Sequence, residues 1–186
     1  MVNENYRALL TRALKPIFSK PKSDRYWQDA FARFSAKSEI GFGDRVIYRY
    51  QGETVGNSVQ TSTFSPVGPN TPIRAANGGV IIFSDELGPY GRAIIIDHGF
   101  GLTTLYAHLT AISRLEGDRV ERGDVIGTAG DTGLANTPGL EFEVRVHGVP
   151  VRPIEWWDQN WIQDHIQLKL RNTKRALGIR IIETLE

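Results

Sequence analysis

Glu141 and Glu143 stand two apart in the strand-like run Leu140 to Val146, and carboxylates so spaced leave one face of a β-strand. Such a pair can share general acid and general base work. Leu140, Phe142 and Val144 alternate with them, which equally describes a solvated strand face backed by a core. His108, in Tyr106-Ala107-His108-Leu109, reads as a half-buried imidazole bonded to backbone at the rim of a groove. His98 follows Asp97 and reads as structural. His147 precedes Gly148 as a hairpin-turn residue and His165 sits on a helix beside Asp164, and neither has ligand spacing with another histidine. The chain has no cysteine, and no serine lies in a glycine-flanked elbow of the kind that exposes a nucleophilic hydroxyl.

The elements that must position these residues are legible in outline. Val80–Phe83 and Ala93–Ile96 are apolar runs separated by Gly88-Pro89-Tyr90-Gly91, a strand, turn and strand pattern. Gly117 to Gly127 repeats the pattern around Gly123. Ahead of this core, Tyr6, Leu9, Leu10, Ala13, Leu14, Ile17 and Phe18 fall at helical spacing. A second helix is expected from Ser23-Asp24, with Trp27, Phe31 and Phe34 as its buried stripe. Behind the core, Asp158 or Asn160 should cap a helix from about Trp161 to Leu177, and Gly178 to Ile182 reads as a short strand or docking tail. The division expected is 1–43 helical extension, 44–158 β core, and 159–186 helix and tail.

Composition narrows the partners. Lys plus Arg number 22 against 21 for Asp plus Glu, a net charge of +1 in 186 residues, so no polyanion is favoured and nucleic acid is not expected. No apolar run approaches bilayer length. Trp156 and Trp157 are weak candidates for stacking on sugar rings. A swinging-arm carrier is excluded for the core because no lysine lies between Lys37 and Lys169. His98 and His108 likewise match poorly the paired histidines of sugar phosphotransferase domains.

Thr71 to Val80, Ile96 to Leu109 (IDHGFGLTTLYAHL), Gly117 to Gly133 and Leu140 to Pro153 together resemble the lysostaphin/LytM-type zinc endopeptidases, a family that cuts peptide cross-links in bacterial cell walls. The likeness runs from about Tyr48 to Trp157. It implies a mainly β fold, an antiparallel sheet core of LytM type (the duplicated hybrid motif) with helical N- and C-terminal extensions.

In that family zinc is held by a His-x-x-x-Asp segment and the second histidine of a His-x-His strand. Carried across without gaps, the pattern puts Gln60 and Phe64 at the first two ligand positions and Glu141 at the third, with Gly139 at a catalytic histidine. Only His108 matches, as the remaining catalytic histidine. A catalytic zinc needs three strong donors and an open position for water, so neither metal nor any other cofactor is expected. The loss of a histidine side chain at Gly139 is expected to widen the groove, whose binding candidates are Tyr106, His108, Glu141 and Glu143.

By resemblance to the EnvC and NlpD-like activators, which also have damaged sites, the expectation is a pseudoenzyme. It would regulate or activate a peptidoglycan amidase or other envelope protein at cell division. A non-cleaving module that holds peptidoglycan stem peptide, and a zinc-independent hydrolase using Glu141, Glu143 and His108, are the alternatives. The envelope or periplasmic location so implied needs a targeting segment, and Met1 to Asn5 lacks a basic start and an apolar centre, so removal of such a segment is expected.

Overall fold

A computed structural model describes residues 14–18, 22–34 and 40–179. Its strands are β1 (Arg45–Tyr50), β2 (Glu53–Val59), β3 (Thr63–Pro66), β4 (Pro72–Arg74), β5 (Gly79–Glu86), β6 (Arg92–Gly99), β7 (Leu102–Ile112), β8 (Arg119–Val120), β9 (Val125–Ala129), β10 (Gly139–Val146) and β11 (Val149–Val151). The helices are α1 (Pro153–Trp156), α2 (Gln159–Ile162) and α3 (Leu168–Ala176). The fold is a mainly β, antiparallel sheet, as expected, in the order β11-β10-β7-β6-β5-β8. β3 pairs with the first half of β10, and β9 bridges β4 to the far end of β7. The hairpin of β1 and β2 forms a separate two-stranded sheet.

β6 is buried from Ala93 to Gly99 and apolar from Ala93 to Ile96 because both its faces are covered. Ile94 and Ile96 join Ile81, Tyr106, Phe142 and Val144 in the larger core. Ala93 and Ile95 point the other way, into a cluster with Leu87, Leu105 and Ala107. Leu14 closes that cluster, with Ile17 and Phe18 against it. Leu14–Phe18 make one helical turn through Phe18 N to Leu14 O; the rest of the expected first helix lies outside the described residues.

The second expected helix is not one. Within Lys22–Phe34 the backbone N–H groups of Tyr26, Phe31 and Ala32 donate to His98 O, Trp156 O and Ala76 O, not to carbonyls four residues back. The apolar residues are nonetheless buried, with the rings of Trp27, Phe31 and Trp156 in mutual contact at 5.7–5.9 Å between centroids. Tertiary backbone partners here outweigh a helical spacing that only three residues specify. The segment lies so close to the sheet that a Cβ at Gly99, whose φ is +85°, would fall 1.6 Å from Asp24 O.

Trp156 therefore belongs to the core, and Trp157 stacks on Phe142 at 6.1 Å with Arg33 over its ring, so neither presents a free face to a sugar. Asp158 does cap α2, accepting from Asn160 N and Trp161 N. The expected C-terminal helix runs through α2, a π-helical turn at Gln163–Gln167, and α3. The expected tail lies outside the described residues beyond Ile179. No helix among the described residues is long and apolar enough to cross a membrane.

His98 ties the segment to the sheet. It is fully buried, with Nδ1 on Gly78 O at 2.6 Å, Nε2 on Thr104 Oγ1 at 2.8 Å, and the Phe31 ring edge-on. Burial lowers its pKa from 6.5 to about 4. Unfolded chains bind the extra proton between those values and folded ones do not, so stability falls as pH drops through that window, by about 3 kcal/mol in all. Urea unfolding across a pH series should show this slope, and His98→Gln should flatten it; an unchanged slope would place the acid sensitivity elsewhere.

Candidate functional site

β7 is the strand that builds the site, and it does so by breaking its own alternation. His108 has φ +65°, a conformation that costs a non-glycine residue energy. The register between β6 and β7 shifts at the same place. This is a β-bulge of the kind that re-aims side chains beside functional sites. Ala107 joins the smaller cluster while Tyr106 and Leu109 both return to the larger core, so His108 also turns to the face that carries Glu141.

On β10, Glu141 lies opposite Ala107 of β7 on one side and Phe64 of β3 on the other. The structure thus brings together Gln60, Phe64, His108, Gly139 and Glu141. His108 Nε2 is 2.9 Å from Glu141 Oε2, and Nδ1 is 2.8 Å from Thr132 O. A carbonyl only accepts, so Nδ1 carries a hydrogen. A second proton must lie between Nε2 and Oε2, since two bare acceptors would repel at that distance. Glu141 Oε1 accepts from Ser62 Oγ at 2.6 Å and from Gln60 Nε2 at 3.4 Å, and Gln60 Nε2 also donates to Ser62. Both oxygens of the carboxylate are engaged.

Phe64 fills the neighbouring space. Its ring stands edge-on to His108 at 6.4 Å. A Cβ at Gly139 would come 2.4 Å from Phe64 Cζ and 2.9 Å from Ser65 O. The expected wider groove is therefore absent at Gly139, because the aromatic ring at position 64 occupies the room that a side chain at position 139 would need.

Glu143 corrects the expectation of a solvated face and of a groove contact. It is fully buried, with Oε2 held by Arg145 Nη2 at 2.5 Å and Nε at 2.6 Å. Its Oε1 accepts from Tyr90 Oη at 2.9 Å and Thr61 Oγ1 at 3.3 Å. Burial pushes the Glu143 carboxyl above its ordinary value, with Arg145 opposing. Burial and the Glu143 and Glu141 charges raise the Tyr90 phenol well above 10.0, so it stays a donor. With its lone pairs so used, Glu143 cannot serve substrate as an acid or base partner of Glu141.

Tyr106 is also no groove residue. It is fully buried, and its hydroxyl accepts from Ala76 N at 2.8 Å and donates to Thr104 Oγ1 at 3.1 Å, whose own hydrogen goes to His98 Nε2. His147 sits in the two-residue turn between β10 and β11 with φ +49°, followed by Gly148 at φ +78°, both left-handed as a tight hairpin turn requires. His165 stacks on Trp161 at 5.0 Å, away from the site.

Sequence reasoning missed Ser62, Thr132, Tyr90 and Arg145. Ser62 was within reach, being spaced two from both Gln60 and Phe64. Arg145 was too, since Glu141, Glu143 and Arg145 continue one period-two series that ends in a countercharge. Thr132 contributes only a backbone carbonyl from a loop, which residue type does not announce.

Peptidase family M23 matches residues 58–153, more than half of the chain. The chain belongs to this family. Among curated relatives, the DD-carboxypeptidase/endopeptidase Mpg of Neisseria meningitidis serogroup B is 49% identical over 84 residues, covering 45% of this chain and 19% of Mpg. The murein hydrolase activator EnvC of Escherichia coli is 30% identical over 108 residues, covering 58% of this chain and 23% of EnvC. The chain thus spans only about a fifth of these relatives. A crystal structure of a putative M23 peptidase from Pseudomonas aeruginosa superposes with a TM-score of 0.63 at 19% identity, covering 86% of this chain and 64% of that one, which supports the shared fold alone.

Zinc, the metal the family resemblance implies, does not fit these residues. Among the described residues no three His, Cys, Asp or Glu side chains are grouped to hold a metal ion. At the site itself Glu141 and His108 already share a proton, Gln60 is a poor zinc donor and Phe64 is none.

Two substitutions test this description. Glu143→Ala leaves the Arg145 charge buried and should cost about 3–5 kcal/mol in urea unfolding, whereas a solvated carboxylate would cost below about 1 kcal/mol. Gly139→Ala should cost about 1–3 kcal/mol by overpacking and less on a Phe64→Ala background, where only the contact with Ser65 O remains; additive losses would show that the ring is not the obstacle.

Proposed function

We propose that this chain is a non-hydrolytic member of family M23 that acts in the cell envelope as a regulator or activator of peptidoglycan hydrolases, an amidase being the partner expected. One observation carries the reading: the positions matching the family's metal shell hold Gln60, Phe64 and Glu141, and these residues with His108 and Ser62 close into a hydrogen-bonded, ring-capped cluster. Hydrolysis of a cross-link needs an activated water, and nothing in the cluster generates one.

The relatives' names point both ways, since Mpg is named a peptidase and EnvC an activator. Site chemistry, not family membership, separates the two, and here it favours the activator. The alternative of a zinc-independent hydrolase loses its second carboxylate to the Arg145 pair.

Incubation of purified chain with cross-linked peptidoglycan, alone and with a cell-wall amidase, tests the proposal. The expected result is no soluble muropeptide from the chain alone and faster release when it is added to the amidase. Release by the chain alone overturns the reading, and sedimentation with walls without any effect on the amidase replaces it by a non-cleaving scaffold. The assignment of positions has its own test. Gln60→His, Phe64→Asp, Gly139→His and Glu141→His combined should take up one zinc per chain by metal analysis, and a folded variant that takes up none would contradict the assignment.

A further inference from the structure

Among the described residues, α3 fully buries none of its side chains. Its chain leaves the core at Ile162, which is fully buried, and at Ile166, which lies against the larger cluster. From Arg171 to Ile179 every residue is exposed. Over Leu168–Ala176 the sequence carries Lys169, Arg171, Lys174 and Arg175 and no acid. None of the four makes an ion pair among the described residues. A chain with a net charge of +1 has placed four cations, unpaired among the described residues, on about two and a half turns of helix.

The pattern on the helix is amphipathic. Leu170, Thr173 and Leu177 recur at i, i+3 and i+7 and form one narrow seam. Lys169 and Lys174 border that seam on its two sides at helical angles, and their stems can lie along apolar surface while the ammonium groups reach outward. Leu177 and Ile179 are 69% and 51% exposed, so the seam is uncovered at its far end. Arg180, Ile181 and Ile182 follow in sequence and continue the same mixture of cation and aliphatic residues.

We propose that α3 is a docking element for an anionic lipid bilayer, lying in the plane of the surface with its Leu170–Leu177 seam at headgroup depth and its lysines on lipid phosphates. Charge complementarity selects an anionic occupant. The seam selects a bilayer over an acidic protein, because two leucines and a threonine offer too few anchors for helix-in-groove docking, which reads four positions along the helix. A helix sunk among headgroups meets phosphate along both flanks of the seam, which suits lysines placed on either side. The inference is independent of the His108–Glu141 site.

Co-sedimentation of the full chain with phosphatidylcholine vesicles, with and without phosphatidylglycerol, tests it. Binding should require phosphatidylglycerol and weaken as salt is raised. Lys169→Gln with Lys174→Gln should weaken it about thirty-fold, at about fivefold per lysine. Leu170→Ser with Leu177→Ser should weaken it as well while leaving the charge intact. Both variants alter exposed or half-exposed positions, and circular dichroism checks that they remain folded. Equal binding to neutral vesicles, no binding to either, or no loss in the lysine variant overturns the proposal. Competition by soluble polyglutamate at equal charge as effective as by phosphatidylglycerol vesicles overturns it in favour of an acidic macromolecule.

Discussion

The hydrogen bond between His108 Nε2 and Glu141 Oε2 joins β7 to β10 across the only face where the residues of the site converge among those described. Its geometry depends on the bulge at His108, whose left-handed backbone turns the imidazole toward Glu141. Thr132 O then fixes which ring nitrogen faces the carboxylate. A proton occupies the space between the two atoms, and the pair links the two strands directly. A metal ion would have to displace that proton and still find further donors, and the side chains nearest to hand are an amide, a hydroxyl and a phenyl ring.

A second buried pair supports the first from behind. Glu143 and Arg145 sit on the same strand face as Glu141, and Arg145 also donates to Gly148 O at 3.0 Å and lies over the Phe18 ring at 5.3 Å. The N-terminal turn, the β10–β11 hairpin and the floor of the site are therefore coupled through one guanidinium. Desolvating these charges is costly, and the cost is offset only because nearly every donor and acceptor is used. That completeness makes the floor rigid and chemically inert.

Much of the sheet was legible because its signals are local and strong. β5 and β6 carry the apolar runs Val80–Phe83 and Ala93–Ile96 on either side of Gly88-Pro89-Tyr90, and β10 alternates cleanly through Leu140, Phe142 and Val144. The family resemblance implied that Phe64 and Glu141 share one site, and the β3–β10 pairing sets them opposite each other. What the sequence concealed depends on partners distant along the chain. Trp27 and Phe31 are buried at a spacing that suits a helix, yet the backbone carbonyls of His98, Ala76 and Trp156 hold their segment in an irregular, non-helical path. Glu143 resembled a solvated carboxylate until the fold closed Tyr90 and Thr61 over it. Phe64 and Gly139 are separated by 75 positions, and only the β3–β10 pairing reveals that one fills the volume the other vacated.

Calorimetric titration of zinc into chelator-treated protein tests the central claim most directly. The account predicts no saturable binding that depends on His108 or Glu141, and the same trace for His108→Ala and Glu141→Ala as for the parent. Tight one-to-one binding that either substitution abolishes would contradict it.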